Sequence, residues 1–470
     1  MTPRALVVLA AVAAVLVGSS FPAVRAQSAA SDSPTYTRDV APILYKNCTG
    51  CHRPGEIGPM PLLTYSDVRP RVRAISTRVS AGTMPPWHAD GAAGEFLNDR
   101  RLSEKDKATI LKWVENGAPE GDAKDLPPAP KYTEGWSIGQ PDAVVKMGED
   151  YPIPATGTIA YQYFEVPTNF TEDRWVTAYE VRPGNRAVVH HVIVYAKTPP
   201  PAAPPQPQPR ADGQPGQPAR PRPVPVLSMP EEQTKIPAGQ TGGEPLPEDQ
   251  RKPAGPNDRP APRGLGNSIG GYVPGNGARL YQPGTAMRLQ AGATLVFQMH
   301  YTSIGKPTTD RTSIGFIFSK EPPKTTLVGT ALINGSLHIP AGAKDHRVDA
   351  EMTFNRDVTL WAMLPHTHVR GKRWSYEVVY PDGRTQTILS VPKYDFDWQT
   401  DYEFRQPLKL PKGTKLHAIA WYDNSPANKS NPDPTKEVWW GDQTFEEMMF
   451  TGLTFSVDPA PAPPAVAGAH

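Results

Sequence analysis

Two cysteines, Cys48 and Cys51, in 470 residues leave no disulfide framework, so folded units of this chain have to be held by packing alone. Neither sign of charge predominates. With 49 basic and 47 acidic residues, no electrostatic reason exists for a nucleic-acid or anionic-membrane partner. Long hydrophobic runs are also missing. The longest, Ala5 to Gly18, has about 14 residues, short of the roughly 20 that span a bilayer. It follows Arg4 and leads to Val24-Arg25-Ala26, the layout of a cleavable secretory signal over residues 1–26. The mature chain is therefore expected to begin near Gln27, to carry no integral membrane segment, and to be periplasmic or otherwise exported.

A chain of this length holds two to four domains. Residues 33–128 give helical signals: Val68, Val72, Ile75 and Val79 share one face, and Ser103 to Asp106 resembles a capping box ahead of Ile110, Leu111, Trp113 and Val114, with Gly117 as the stop. Beyond a Pro-containing linker, short runs rich in Val, Tyr, Thr and Phe alternate with Gly, Pro and Asn turns. They predict antiparallel β-sandwiches over 133–320 and 321–458. The first is interrupted at 199–262, where 20 of the 57 prolines fall, a composition for a loop or linker without chemistry rather than a core. The tail, 459–470, is of equally low complexity and expected to fray.

Cys48-Thr49-Gly50-Cys51-His52 is a c-type haem attachment sequence, with two thiols for the porphyrin vinyl groups and a histidine for the iron. A thioredoxin-like pair would want a βαβ context that this helical stretch lacks, and zinc would need more ligands near by. The helices around the motif make residues 33–128 resemble a class I cytochrome c in outline. That resemblance implies one covalent haem c and a distal ligand downstream: Met84, on a proline-stiffened loop, with Met60 and His88 as alternatives.

Of 11 histidines, four stand in two tight groups inside expected strands, His190-His191 and His366-Thr367-His368. Alternate residues of a strand share a face, so His366 and His368 form a natural two-point chelate. Adjacent His190 and His191 can share a metal only at a bulge or strand end. His300 would complete a three-histidine site with the first pair, and Met448, or alternatively Met449, a thioether-containing site with the second. Imidazole suits copper, and a thioether adds preference for its cuprous form. His338, His346, His417 and His470 lack such companions, and Trp439 and Trp440 read as core or pocket wall.

The order His-His, single His, His-x-His, Glu-Met over two sandwiches resembles the ascorbate-dependent copper monooxygenases, the family of peptidylglycine alpha-hydroxylating monooxygenase and dopamine beta-monooxygenase. His366-Thr367-His368-Val369-Arg370-Gly371-Lys372 is especially similar to the dopamine enzyme's motif. The resemblance implies a multidomain chain: an N-terminal all-α cytochrome c domain, then two all-β, jelly-roll-like copper sandwiches. It implies two copper ions, an electron-storing one on His190, His191 and His300, and one on His366, His368 and Met448 where dioxygen hydroxylates a C-H bond of an organic substrate. The animal enzymes keep these as separate mononuclear centres. An external donor or ascorbate-like reductant would resupply electrons, with the haem as relay in either direction. Two features depart from the family. The module has no cysteine, and Leu364 stands where the peptide enzyme carries a substrate-gripping arginine. The rival readings are a non-catalytic electron-transfer protein with a copper- or partner-binding β-module, and a cytochrome fused to an adhesive sandwich whose histidines are merely buried.

Overall fold

The computed structural model describes residues 33–132, 135–197, 234–235, 267–273 and 277–459. The leader expected at 1–26, most of the Pro-rich insert and nearly all of the tail lie outside the described residues.

β-Structure dominates. The largest sheet runs in the order Ala143–Lys146, Ser313–Ser319, Arg174–Arg182, Thr285–Leu289, Thr325–Ile333, Phe450–Val457, Val358–His366, Tyr402–Leu410, with Ala278–Leu280 also paired to Arg174–Arg182. Its neighbours are antiparallel except where Thr285–Leu289 meets Thr325–Ile333 in parallel. That pairing is the seam between the two expected β units. A four-stranded sheet, Gln162–Pro167, Thr294–Tyr301, Val189–Lys197 and Asn267–Tyr272, faces the first half of the large sheet. A five-stranded sheet, Thr385–Val391, Gly371–Val379, Lys415–Tyr422, His346–Thr353 and Thr234–Lys235, faces the second half.

Period-two alternation builds both cores. Trp374, Tyr376 and Val378 are buried from one face of their strand while the residues between them are not. Phe297 and Phe316 are both buried in the first core, and Phe354 packs on Phe455 at 6.3 Å in the second. Each such buried side chain contributes roughly 1.5–3 kcal/mol.

The helical expectations hold locally. Val68, Ile75 and Val79 are buried, Ser103 Oγ accepts the Asp106 amide at 3.0 Å, and Gly117 ends the last helix at φ +83°. Pro70, which cannot donate a backbone hydrogen bond, splits the second helical run into Tyr65–Val68, a 3-10 turn at Arg69–Arg71, and Val72–Ser80.

The fold expected from the resemblance is corrected. The N-terminal region is not an all-α domain followed by two separate sandwiches. Its α-helices are Ala41–Asn47, Tyr65–Val68, Val72–Ser80 and Glu104–Glu115, the longest of 12 residues, in a predominantly β molecule. The non-helical stretch between the last two gives Trp87, Ala89 and Phe96 to the core of the second β unit, and Phe96 forms a β-bridge with Phe404. The physical reason is that Trp87 and Phe96 bury their rings against Tyr402 and Phe404 of the strand Tyr402–Leu410. The two β units likewise share one continuous sheet rather than standing apart. A smaller correction concerns the insert, where Thr234–Lys235 pairs with Glu351 and Met352 at the edge of the five-stranded sheet. Among the described residues, no helix is long and apolar enough to cross a membrane.

Candidate metal centre

The first histidine pair lies at the start of Val189–Lys197, against Thr294–Tyr301. His191 pairs with His300, but Val189 pairs with Tyr301, so His190 is the extra residue of a β-bulge. A bulge re-aims one side chain, and here it lets both adjacent rings face one point. His190 Nδ1 is 3.2 Å, and His300 Nδ1 3.3 Å, from His191 Nδ1. The three potential ligand atoms lie within 4.8 Å of one another. The outer nitrogens are engaged elsewhere: His191 Nε2 with the Tyr161 hydroxyl at 2.8 Å, His300 Nε2 with Thr444 Oγ1 at 3.1 Å. Protons on those nitrogens leave the Nδ1 lone pairs pointing inward, the arrangement that orients a metal-ligating histidine.

His366 is the last residue of Val358–His366, and His368 lies in the turn beyond it. Their rings are 5.4 Å apart, while the Thr367 amide turns away to the Tyr394 hydroxyl at 3.2 Å. His366 Nδ1 meets Gln399 Oε1 at 2.7 Å, and His368 Nδ1 meets the Glu446 carbonyl at 3.2 Å. These bonds reserve both Nε2 atoms. His368 Nε2 is buried without a hydrogen-bond partner, which costs about 1–3 kcal/mol in a polar group left so and suits a nitrogen that a metal ion would engage.

Glu447 ties Met448 to this turn. One carboxylate oxygen accepts from the amides of both His368 and Met448, at 2.7 and 3.2 Å, and the other from the Arg370 amide at 2.7 Å. Burial nevertheless raises the Glu447 carboxyl to about 7. Met449 packs in the core of the second β unit, whereas Met448 is outside that cluster and its amide shares a Glu447 oxygen with the amide of His368.

Burial also suppresses protonation of the imidazoles. It lowers His190 to about 4, His300 to about 3 and His366 to about 4, with neighbouring histidines adding to the effect on the first two. His191 and His368 are driven well below the ordinary value by burial and then by the surrounding rings. All five are neutral at pH 7, the form that binds metal.

The residues expected to attach haem, Cys48, Cys51 and His52, follow the helix Ala41–Asn47. Cys48 and Cys51 form no disulfide with one another, and burial pushes the Cys48 thiol up to about 12. His52 Nδ1 meets the Met60 carbonyl at 3.1 Å, leaving Nε2 for an axial bond, so this donor set fits a covalently held haem. Gly58 lies so close that a Cβ there would stand 2.7 Å from the His52 ring. An ion pair between Glu56 and Arg186 docks this loop on the turn that precedes His190. Met84 and His88 line a different space, a cavity of about 940 Å³ shared with Trp87, Tyr394 and Phe396, and neither cysteine nor His52 forms part of its wall. The structure thus brings the copper candidates together but does not join Met84 to the haem motif through this cavity.

Sequence reasoning missed Tyr161, Gln399, Thr444 and Phe396, whose ring stacks on His190 at 4.6 Å. Each is remote in sequence from the histidine it braces, and none carries a local signal. Leu364, singled out as a departure from the peptide enzyme, lines a cavity of about 220 Å³ together with His191, His366 and Gln399.

No family model matches the chain, and no curated protein matches it. Among solved structures it is similar to the major capsid protein P2 from bacteriophage PM2, at 8% identity over 67% of this chain and 98% of that one, with a TM-score of 0.24. It is also similar to the structure of infectious bursal disease virus Gx strain, at 9% identity over 69% of this chain and 74% of that one, with a TM-score of 0.18. Scores this low do not establish a common fold.

Proposed function

We propose that this protein is an exported copper-dependent oxidoreductase that hydroxylates a C-H bond of a small organic substrate with dioxygen, with a c-type haem on Cys48, Cys51 and His52 relaying electrons. The observation that carries this reading is the convergence of three Nδ1 atoms, from His190, His191 and His300, beside a second pair of buried neutral imidazoles with free Nε2 atoms. Neutral nitrogen donors, joined in this reading by the Met448 thioether, are a donor set for copper rather than for calcium or magnesium. When bound, copper would supply one-electron redox chemistry and activation of dioxygen.

The chain's own residues have separable tasks. Tyr161, Thr444, Gln399 and the Glu446 carbonyl set ring orientation and tautomer. The surrounding β-cores exclude water. Glu447 holds the backbone of His368, Arg370 and Met448 in one frame. Docking of the haem loop through Glu56 and Arg186 makes electron exchange with the histidines intramolecular, at high effective concentration. Leu364 leaves the position of the peptide enzyme's arginine without a charge, while Arg279, paired with Asp401, lines the same small cavity from another strand.

The test is elemental analysis of the protein matured with haem in an exporting host. About two coppers per iron, falling when His366→Ala and His368→Ala are combined, together with substrate-dependent oxygen uptake, would support the reading. No copper above background would refute it.

A further inference from the structure

The family resemblance implies two mononuclear copper sites standing apart, yet the histidines assigned to them are in direct ring contact. The His191 and His366 rings lie 5.6 Å apart in an edge-to-face arrangement. His191 is 4.8 Å from His300 and 5.5 Å from His190, and His366 is 5.4 Å from His368. The five rings form an unbroken chain, with no layer of protein between the two groups. The strand that ends in His366 lies in the large sheet, and the strand of His191 lies in the four-stranded sheet that faces it.

Two further observations treat the groups as one. A single cavity of about 220 Å³ is lined by His191 from one group and His366 from the other, with Gln399, Leu364 and Phe450. A single loop braces both: Phe396 stacks on His190 at 4.6 Å, and three residues later Gln399 holds His366 Nδ1 at 2.7 Å. A ligand entering that cavity meets a histidine of each group at once.

We propose that His190, His191, His300, His366 and His368 form one binuclear copper centre whose ions face a common cavity, in place of two independent mononuclear sites. This inference rests on the copper reading given above and deepens it. Two-metal centres hold their ions roughly 3.5–4 Å apart, a spacing within reach of rings in contact when metal–nitrogen bonds are about 2 Å. The cavity sets the ligand class. At about 220 Å³ it is smaller than the roughly 300–1,000 Å³ of drug-sized sites but larger than the roughly 150 Å³ that holds a benzene ring, so it takes a molecule of about ten heavy atoms or fewer, or one end of a longer one.

The test is spin counting by electron paramagnetic resonance on the full chain loaded with cupric ion, alongside elemental copper. The expected result is about two coppers per chain with less than half of the corresponding spins, because neighbouring cupric ions couple. The His366→Ala, His368→Ala variant is expected to hold one copper with a full spin. Two coppers with two full spins in the wild-type chain overturn the shared centre while leaving the copper reading intact, as does a single copper per chain. No bound copper overturns both. Should the variant fail to fold, the wild-type spin count and a half-field transition decide the matter alone.

Discussion

Replacing Phe96 with alanine tests how the N-terminal region is joined to the rest. Phe96 is 1% exposed and packs on Trp87 at 5.7 Å, Tyr402 at 5.5 Å and Phe404 at 5.4 Å. Nearby, the Asn98 side chain donates to the Asp401 carbonyl at 2.5 Å and accepts from the Glu403 amide at 3.2 Å. A Phe→Ala change in a well-packed core costs about 3–5 kcal/mol, and loss of three aromatic contacts places this case toward the upper end. The measurement is urea unfolding of the β-structure, followed by far-UV circular dichroism, for wild type and F96A. The expected outcome is a lower midpoint at unchanged m-value, with a free-energy loss of that size in the main β transition. The arrangement also predicts reduced copper occupancy at His366, because Asp401 lies two residues beyond Gln399. A β transition displaced by less than about 1 kcal/mol would refute the reasoning, since it would mean that Phe96 belongs to an independently folding unit.

Other perturbations have equally direct readouts. Tyr161→Phe removes the 2.8 Å bond to His191 Nε2 and is expected to weaken copper binding by about 10–100-fold, measured by competition with a chelator of known affinity; unchanged affinity would remove Tyr161 from the site. Gln399→Leu keeps bulk but loses the bond to His366 Nδ1, and should lower occupancy of one copper while sparing the other in titration. Metal-free protein should lose stability as pH falls: His190 and His366 have folded values near 4 against 6.5 ordinarily, so the unfolded chain takes up protons first. The stabilisation is complete above about pH 7 and declines from 6.5 toward 4, on the order of 3 kcal/mol for each residue, and a flat unfolding midpoint over that range would contradict it. Cys48→Ser with Cys51→Ser should abolish covalent haem, read by the absorbance of haem that survives denaturing electrophoresis.

Much of the site was legible in sequence because metal-ligand chemistry needs particular residue types in tight spacing. The adjacent pair His190-His191 demanded a bulge, and a bulge is found at His190. Of the two methionines, Met448 is favoured in sequence by its preceding glutamate, and Met449 packs in the core. The helix signals at Ser103 and Gly117 were also legible, because capping and left-handed backbone are local properties. The all-α reading of residues 33–128 failed for the opposite reason. Trp87 and Phe96 carry no local mark of partnership with Tyr402 and Phe404, some 300 positions away.

The sequence by itself determined the residue chemistry: five imidazoles in fixed order, a Cys-x-x-Cys-His motif, and strand-forming periodicity through most of the chain. Tertiary structure alone decided that the two β units share one sheet, that Thr234–Lys235 joins its facing sheet, and that His191 and His366 touch. The physical reason is that periodicity and spacing report which face a side chain takes on its own element. Strand order and parallel pairing, as between Thr285–Leu289 and Thr325–Ile333, depend on burial of surfaces contributed by residues far apart in the chain.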